Sequence, residues 1–405
     1  MTKMNLNKII LPVLSIFTIF ILMSSLALSV PTSKEKNDIY ESMSGYDIPI
    51  DDVFIPENYR PIGYVPEGSA TYTNDFMFGD VSVVVIFMES NGAIDEDTED
   101  WSNEDEDYLG VDRKEMVMSK IQDGLDWWAE REPRAHITWS FHEFETGENY
   151  KIMSTSYEPI TRPSWDQKLW VTETMDYFGY TSEPYYVDNV RVFDDDIRNA
   201  DGTDWAFTIF VVDSLNDLDG KFSNGKIAVA CSNGPHLMMT YDNGGNRIEN
   251  MNAILAHETG HIFGATDQYS GAPACNEASD CSKTYGYLHV ENQNCEIAAC
   301  LMDVSSIMKH SVYAYENGDV DPYGRGQIGW RDEDEDNILD VIDADYPDWK
   351  GNPRSDSDGD GIIDYWDDCP NTAGVLSRMG CPAYGGGGCG PKFEAGKRVP
   401  CAMAW

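Results

Sequence analysis

His257-Glu258-Thr259-Gly260-His261-Ile262-Phe263-Gly264-Ala265-Thr266-Asp267, running on into Gln268-Tyr269, carries most of the information in this chain. On an α-helix His257 and His261 stand one turn apart and project from the same face, so two imidazoles can grip one zinc ion. Glu258 adjoins the first of them, where a carboxylate can take a proton from water on the metal. Gly264 lets the chain leave the helix through a turn that a Cβ would resist. Asp267 can then return to the same metal as a third ligand, leaving a fourth position for water, as a catalytic zinc requires. A bare His-Glu-x-x-His sits on many ordinary helices; the extension through Gly264 and Asp267 sets this one apart. The preceding segment is apolar at Met251, Ile254 and Leu255, as a buried helix should be.

Downstream lies Ser305-Ser306-Ile307-Met308-Lys309-His310. Together the two stretches resemble the metzincin zinc peptidases, whose pattern is HExxHxxGxxH/D followed by a tight turn with a methionine beneath the metal. Aspartate at the third position departs from the commoner histidine and resembles the minority of the family that uses it. The resemblance implies that His257, His261 and Asp267 are zinc ligands, that Glu258 is the general base, and that Met308 forms the floor of the site. Some relatives place a tyrosine two residues after the methionine to stabilise an oxyanion. Here that place holds His310, which can donate a hydrogen bond to developing negative charge; Tyr313 and Tyr315 are alternatives for the same task. The resemblance covers mainly residues 80 to 330, and only the two motifs are specific.

Composition narrows the rest. The 405 residues suit one large domain with appendages, and 41% hydrophobic and 12% aromatic content suits a folded chain. Seventy-one acids against 28 bases give a formal net charge of −43. That balance excludes general nucleic-acid binding, which needs a basic face. It fits either calcium binding by clustered carboxylates or solubility in a saline medium. Lys3 and Lys8 precede an uncharged stretch from Ile9 to Val30, which reads as a secretory signal peptide cut after Ala27-Leu28-Ser29. An uncleaved membrane anchor is the open alternative, and the one expected route to a membrane. Either way the remainder is exported: secreted, or held at the cell surface.

Nine cysteines agree with export. Cys275, Cys281, Cys295 and Cys300 form one even group, and Cys369, Cys381, Cys389 and Cys401 another. Each group suggests disulfides, with three connectivities open. Cys231 is left over after the apolar run 227–230 and is expected to be a buried free thiol.

Residues 1–29 are thus expected to be a signal peptide or anchor, and 30–70 a proline-bearing linker or short pro-segment. A catalytic domain is expected over 71–330, acidic repeats over 331–383 and a glycine-rich tail over 384–405. Val81 to Phe87 is a β-branched run typical of a buried strand. A helix is expected from about Arg113 to Glu130, and strands near 135–139, over Trp205 to Val212 and over Lys226 to Cys231. By the resemblance, this order implies an α/β fold. It has a mixed twisted sheet, an active-site helix and an irregular C-terminal lobe. In relatives an edge strand above the zinc pairs with the substrate backbone; the segment 226–231 is either that edge or an internal strand.

Beyond Trp330 one acidic pattern occurs twice: Asp332, Asp334, Asp336, Asn337, Asp340, Asp343, and then Asp356, Asp358, Asp360, Gly361, Asp364, Asp367. Acids at the first, third and fifth places converge on one cation because a sharp turn follows them. That turn needs a left-handed residue, which Gly361 adopts easily and Asn337 tolerates. With Cys369-Pro370 after it, the second copy resembles thrombospondin type 3 calcium repeats, which implies structural Ca²⁺.

The sequence therefore leads to a secreted zinc metalloendopeptidase acting on protein or peptide substrates, with catalytic Zn²⁺ and structural Ca²⁺. The alternative is a non-catalytic calcium-dependent surface or adhesion protein on a peptidase fold; the intact Glu258 argues against it.

Overall fold

A computed structural model describes residues 74–101, 112–333, 335, 337–342 and 372, with the backbone of 392–394 and 397–399. The expected signal peptide and linker, the whole 356–367 loop, and Asp334, Asp336 and Asp343 lie outside the described residues.

The first strand, β1 (Asp80–Ser90), is apolar along nearly its whole length because it is buried on both faces. Val81, Val83, Val85 and Phe87 enter one core, while Val84, Ile86 and Met88 enter another. This is the two-residue alternation of a pleated strand. The loop 91–101 and the helix α1 (Arg113–Arg131) follow; Asp112 caps the helix by accepting from the Lys114 N–H at 2.7 Å. Two short strands, β2 (Thr138–Phe141) and β3 (Lys151–Thr155), then pair in parallel with the two halves of β1. Helices α2 (Gln167–Phe178) and α3 (Tyr186–Asp201) lead into β4 (Trp205–Val212), which is wholly buried and parallel to β1. Next come β5 (Ala228–Ala230) and β6 (His236–Thr240), before α4 (Met251–Ile262), the helix of the two histidines.

The result is a six-stranded mixed sheet in the order β2-β1-β4-β6-β5, with β3 also on β1. It lies between two layers of helix. Helices α1 and α4 share one core with Phe207, Ile209 and Leu237; α2 and α3 share the other with Phe210, Val212 and Met238. Each fully buried large apolar side chain contributes about 1.5–3 kcal/mol. The fold is thus mixed α/β, as expected.

Strand β5 is antiparallel to β6 and, among the described residues, pairs with no other strand, so 226–231 holds an edge strand of the described sheet. One expectation needs adjustment. The strand near 135–139 begins later, at Thr138. Pro133–Ala135 form a 3₁₀ turn, and His136 takes a left-handed φ of 47°. Helices α2 and α3, and the strands β3 and β6, are additions that the sequence reading lacked.

After α4 the regular structure is short: β7 (Thr284–Tyr285), β8 (Val290–Glu291), α5 (Ser311–Asn317) and α6 (Pro322–Gln327). Two disulfides, Cys275–Cys295 and Cys281–Cys300, close the first part, selecting one of the three connectivities. They suit an oxidising environment. Packing continues beyond residue 330: Leu339, Val341 and Ile342 are buried in the same core as α1 and α4. Among the described residues no helix is long and apolar enough to cross a membrane.

Candidate metal centre

The site starts from the rotation of one helix turn. His257 and His261 meet edge to face on α4, their ring centroids 4.9 Å apart. Gly264 ends the helix with a φ of 92°, a left-handed value that glycine alone takes without strain. Its N–H reaches His261 O at 3.0 Å, and the Ala265 N–H reaches Gly260 O at 2.9 Å. This tight exit returns Asp267 to the histidines. Asp267 Oδ1 lies 3.2 Å from both His257 Nε2 and His261 Nε2. Among the described residues this is the one group of three or more His, Cys, Asp or Glu side chains whose ligating atoms all converge closely enough to hold a metal.

The hydrogen-bond pattern tests whether a metal fits. His257 Nδ1 is 2.8 Å from Ile307 O, and His261 Nδ1 is 2.9 Å from Ala265 O. A carbonyl only accepts, so each Nδ1 carries the proton. In the neutral rings the Nε2 lone pairs then face Asp267 Oδ1, itself buried with no hydrogen-bond donor. Three lone pairs directed at one another repel unless protons or a cation lie between them. The donor set, two imidazoles and a carboxylate, suits zinc, and the Nδ1–carbonyl bonds are the outer-shell contacts that orient such ligands.

Without a metal, protons do the same work. Burial resists the charge on His261, but hydrogen bonding to Asp267 and the charges of Glu258 and Asp267 outweigh it and push the imidazole up to about 9. Burial likewise resists the charge of Asp267, yet the two rings hold its carboxyl well below the usual range. Glu258 is buried, which raises its pKa against the pull of His257 and His261; Asp267 adds to the rise.

Met308 packs against the helix of the two histidines. It is fully buried, and a Cβ on Gly260 would come within 2.6 Å of its Sδ. Trp128 of α1 packs on the same spot and donates from Nε1 to Ala256 O of α4 at 2.9 Å. Gly260 is therefore a site residue that the sequence reading passed over. Gln268 is another. Fully buried, it donates from its N–H to Met308 O at 3.0 Å and from Nε2 to Asp321 Oδ2 at 2.9 Å, tying the ligand loop to the methionine turn. A polar residue directly after a ligand was the available signal. Tyr269 is pushed up to about 12, by burial first, with Asp267 and Glu258 adding to the rise.

Of the remaining candidates, His310 is exposed, with Nε2 3.4 Å from Glu296 Oε1, and is not one of the three convergent side chains. Tyr315 stacks on Trp127 and donates its hydroxyl to Asp123 O at 3.0 Å, which removes it from the site; Tyr313 is exposed. Among the described residues Cys231 has no disulfide partner, and it is half-buried where a buried thiol was expected. Burial pushes its thiol up to about 11.

In the first acidic repeat Asn337 has the left-handed backbone expected of it, with a φ of 74°. Its N–H donates to Asp332 Oδ2 at 3.1 Å, and that oxygen also accepts from Arg134 Nη1 at 2.7 Å. Asp332 Oδ1 is buried without a donor. Asp340 accepts from Arg331 Nε at 2.6 Å and from the Glu333 N–H at 2.9 Å.

In comparisons with known proteins, no family model and no curated protein matches the chain.

Proposed function

We propose that this chain is a secreted zinc-dependent metalloendopeptidase of the metzincin type. The observation that supports it most is the convergence of His257 Nε2, His261 Nε2 and Asp267 Oδ1, with both Nδ1 atoms held by carbonyls and a buried glutamate alongside. Held by those three side chains, zinc would supply Lewis-acid polarisation of the scissile carbonyl and a more acidic water. The chain's own residues do the rest. Glu258 follows directly on the first ligand, so its carboxylate is positioned to take the proton of the attacking water and deliver it to the leaving amine. Burial raises its proton affinity. Met308, packed against Gly260, keeps the floor dry and fixes the helix.

The edge strand β5 supports an extended peptide as substrate. Its unpaired side can add a strand through main-chain hydrogen bonds, which place few demands on sequence. Structural Ca²⁺ in the acidic repeats, at Asp332 to Asp343 and Asp356 to Asp367, belongs to the same proposal. The left-handed Asn337 and the donorless Asp332 Oδ1 support it in the first loop.

Purified chain incubated with denatured casein, beside Glu258→Ala, tests the activity. Cleavage by the unsubstituted chain alone supports the proposal, and equal cleavage by both removes Glu258 as base.

A further inference from the structure

Asp267 sits on irregular chain beyond the end of α4, so no helix or strand of its own fixes it. A ligand on a loop must nevertheless stay within about 0.5 Å of its productive position. What holds it comes from the disulfide-closed loop 275–300. Asn292 is fully buried, and its Nδ2 donates to Asp267 O at 3.1 Å and to Ala274 O at 3.0 Å. Two residues on, Asn294 is also fully buried and donates to Gln268 Oε1 at 2.9 Å and Val304 O at 3.2 Å. The Glu296 N–H donates to Gln268 O at 2.8 Å. Three successive alternate residues of one segment therefore grip the ligand and its neighbour.

That segment has little regular structure to hold its own shape. Cys295 lies within it and is bonded to Cys275, and Cys300 just beyond it is bonded to Cys281. The four half-cystines are buried together, and Tyr269, two residues after the ligand, packs against them. Cross-links of this kind reduce the conformations open to a loop. Removing the Asn292 amide would leave the partly buried carbonyls of Asp267 and Ala274 without that donor.

We infer that the loop 275–300 is an outer shell of the metal site, in which Asn292 positions Asp267 and the two disulfides hold Asn292 in place, so that metal affinity depends on the loop being oxidised. This rests on the zinc reading above. Asn292 and the cysteines act through Asp267 and touch no reacting atom, so they are positioning residues.

Zinc affinity of the full chain, measured by competition with a chromogenic chelator, tests the inference without recourse to activity. The comparison is between the unsubstituted protein, Asn292→Leu, and the pair Cys275→Ser with Cys295→Ser, with circular dichroism as the check on folding. The expected result is an affinity about 10–100-fold lower in both variants, the loss typical of outer-shell partners, with helical content retained. Affinity equal to that of the unsubstituted chain in either folded variant overturns the inference, and if Asn292→Leu does not fold the cysteine pair decides. An unsubstituted chain that binds no zinc overturns instead the reading beneath it, and this inference falls with it.

Discussion

At Asp267 Oδ1 two imidazole nitrogens face the same carboxylate oxygen at 3.2 Å, and in neutral rings, with each Nδ1–H serving a carbonyl, neither Nε2 has a proton to offer it. That arrangement was legible because an i, i+4 pair and a glycine exit are both written in local sequence. Gly260 was not legible, because the need for it arises from Met308 and Trp128, which reach it only through tertiary packing. The role proposed for Glu258 carries a direct prediction: Glu258→Ala keeps its zinc and loses at least about a hundredfold in turnover, the lower range for general acid–base groups. Zinc content by elemental analysis and casein cleavage read the two halves separately. Gly260→Ala tests the floor. Its Cβ would fall within 2.6 Å of Met308 Sδ, so stability drops by about 1–3 kcal/mol in denaturant unfolding. No loss would mean that Met308 can simply swing aside.

The elements most legible in sequence are the long apolar runs, and with them one helix whose apolar residues fit a helical period only imperfectly. The strands β1 and β4 are apolar on both faces, and the helix α1 has buried residues at Val117, Ile121, Leu125 and Trp128. Helix α3 was missed because its exposed face holds Asp188, Asp195 and Asp196, which mimic a solvated loop until Val190, Phe193 and Ile197 are seen on one side. The strand β6 is five residues long, too short for periodicity to separate strand from helix. Beyond Trp330 the acidic pattern concealed a packing role, since Leu339, Val341 and Ile342 belong to the main core. Leu339→Ala should therefore cost about 2–5 kcal/mol, as for any buried leucine, measured by urea unfolding. A change below about 0.5 kcal/mol would show this segment to be a detached repeat.

At the scale of the molecule, the acid excess gathers partly inside. Burial pushes Glu99 up to about 7, with Asp213 and Glu158 adding to the rise and the Asn216 N–H and Arg113 opposing it. Burial likewise pushes Glu158 up to about 7. Both keep a proton in the folded chain after the unfolded chain, titrating near 4.5, has lost it. Their contribution to stability is therefore full below about pH 4.5, falls as pH rises to about 7, and is level above. Glu158→Gln should become steadily more stable relative to the unsubstituted chain across that window, seen in denaturant midpoints at a series of pH values; a constant difference would exclude Glu158 as the source. The formal charge of −43 and the paired acidic repeats further predict that millimolar calcium raises the melting temperature and that a calcium chelator reverses the rise. The measurement that bears most directly on the whole account is cleavage of denatured casein by the zinc-loaded chain beside Glu258→Ala at equal zinc content. The account predicts cleavage by the first and none by the second. Bound zinc with the same rate from both, or a chain that takes up no zinc at all, would contradict it.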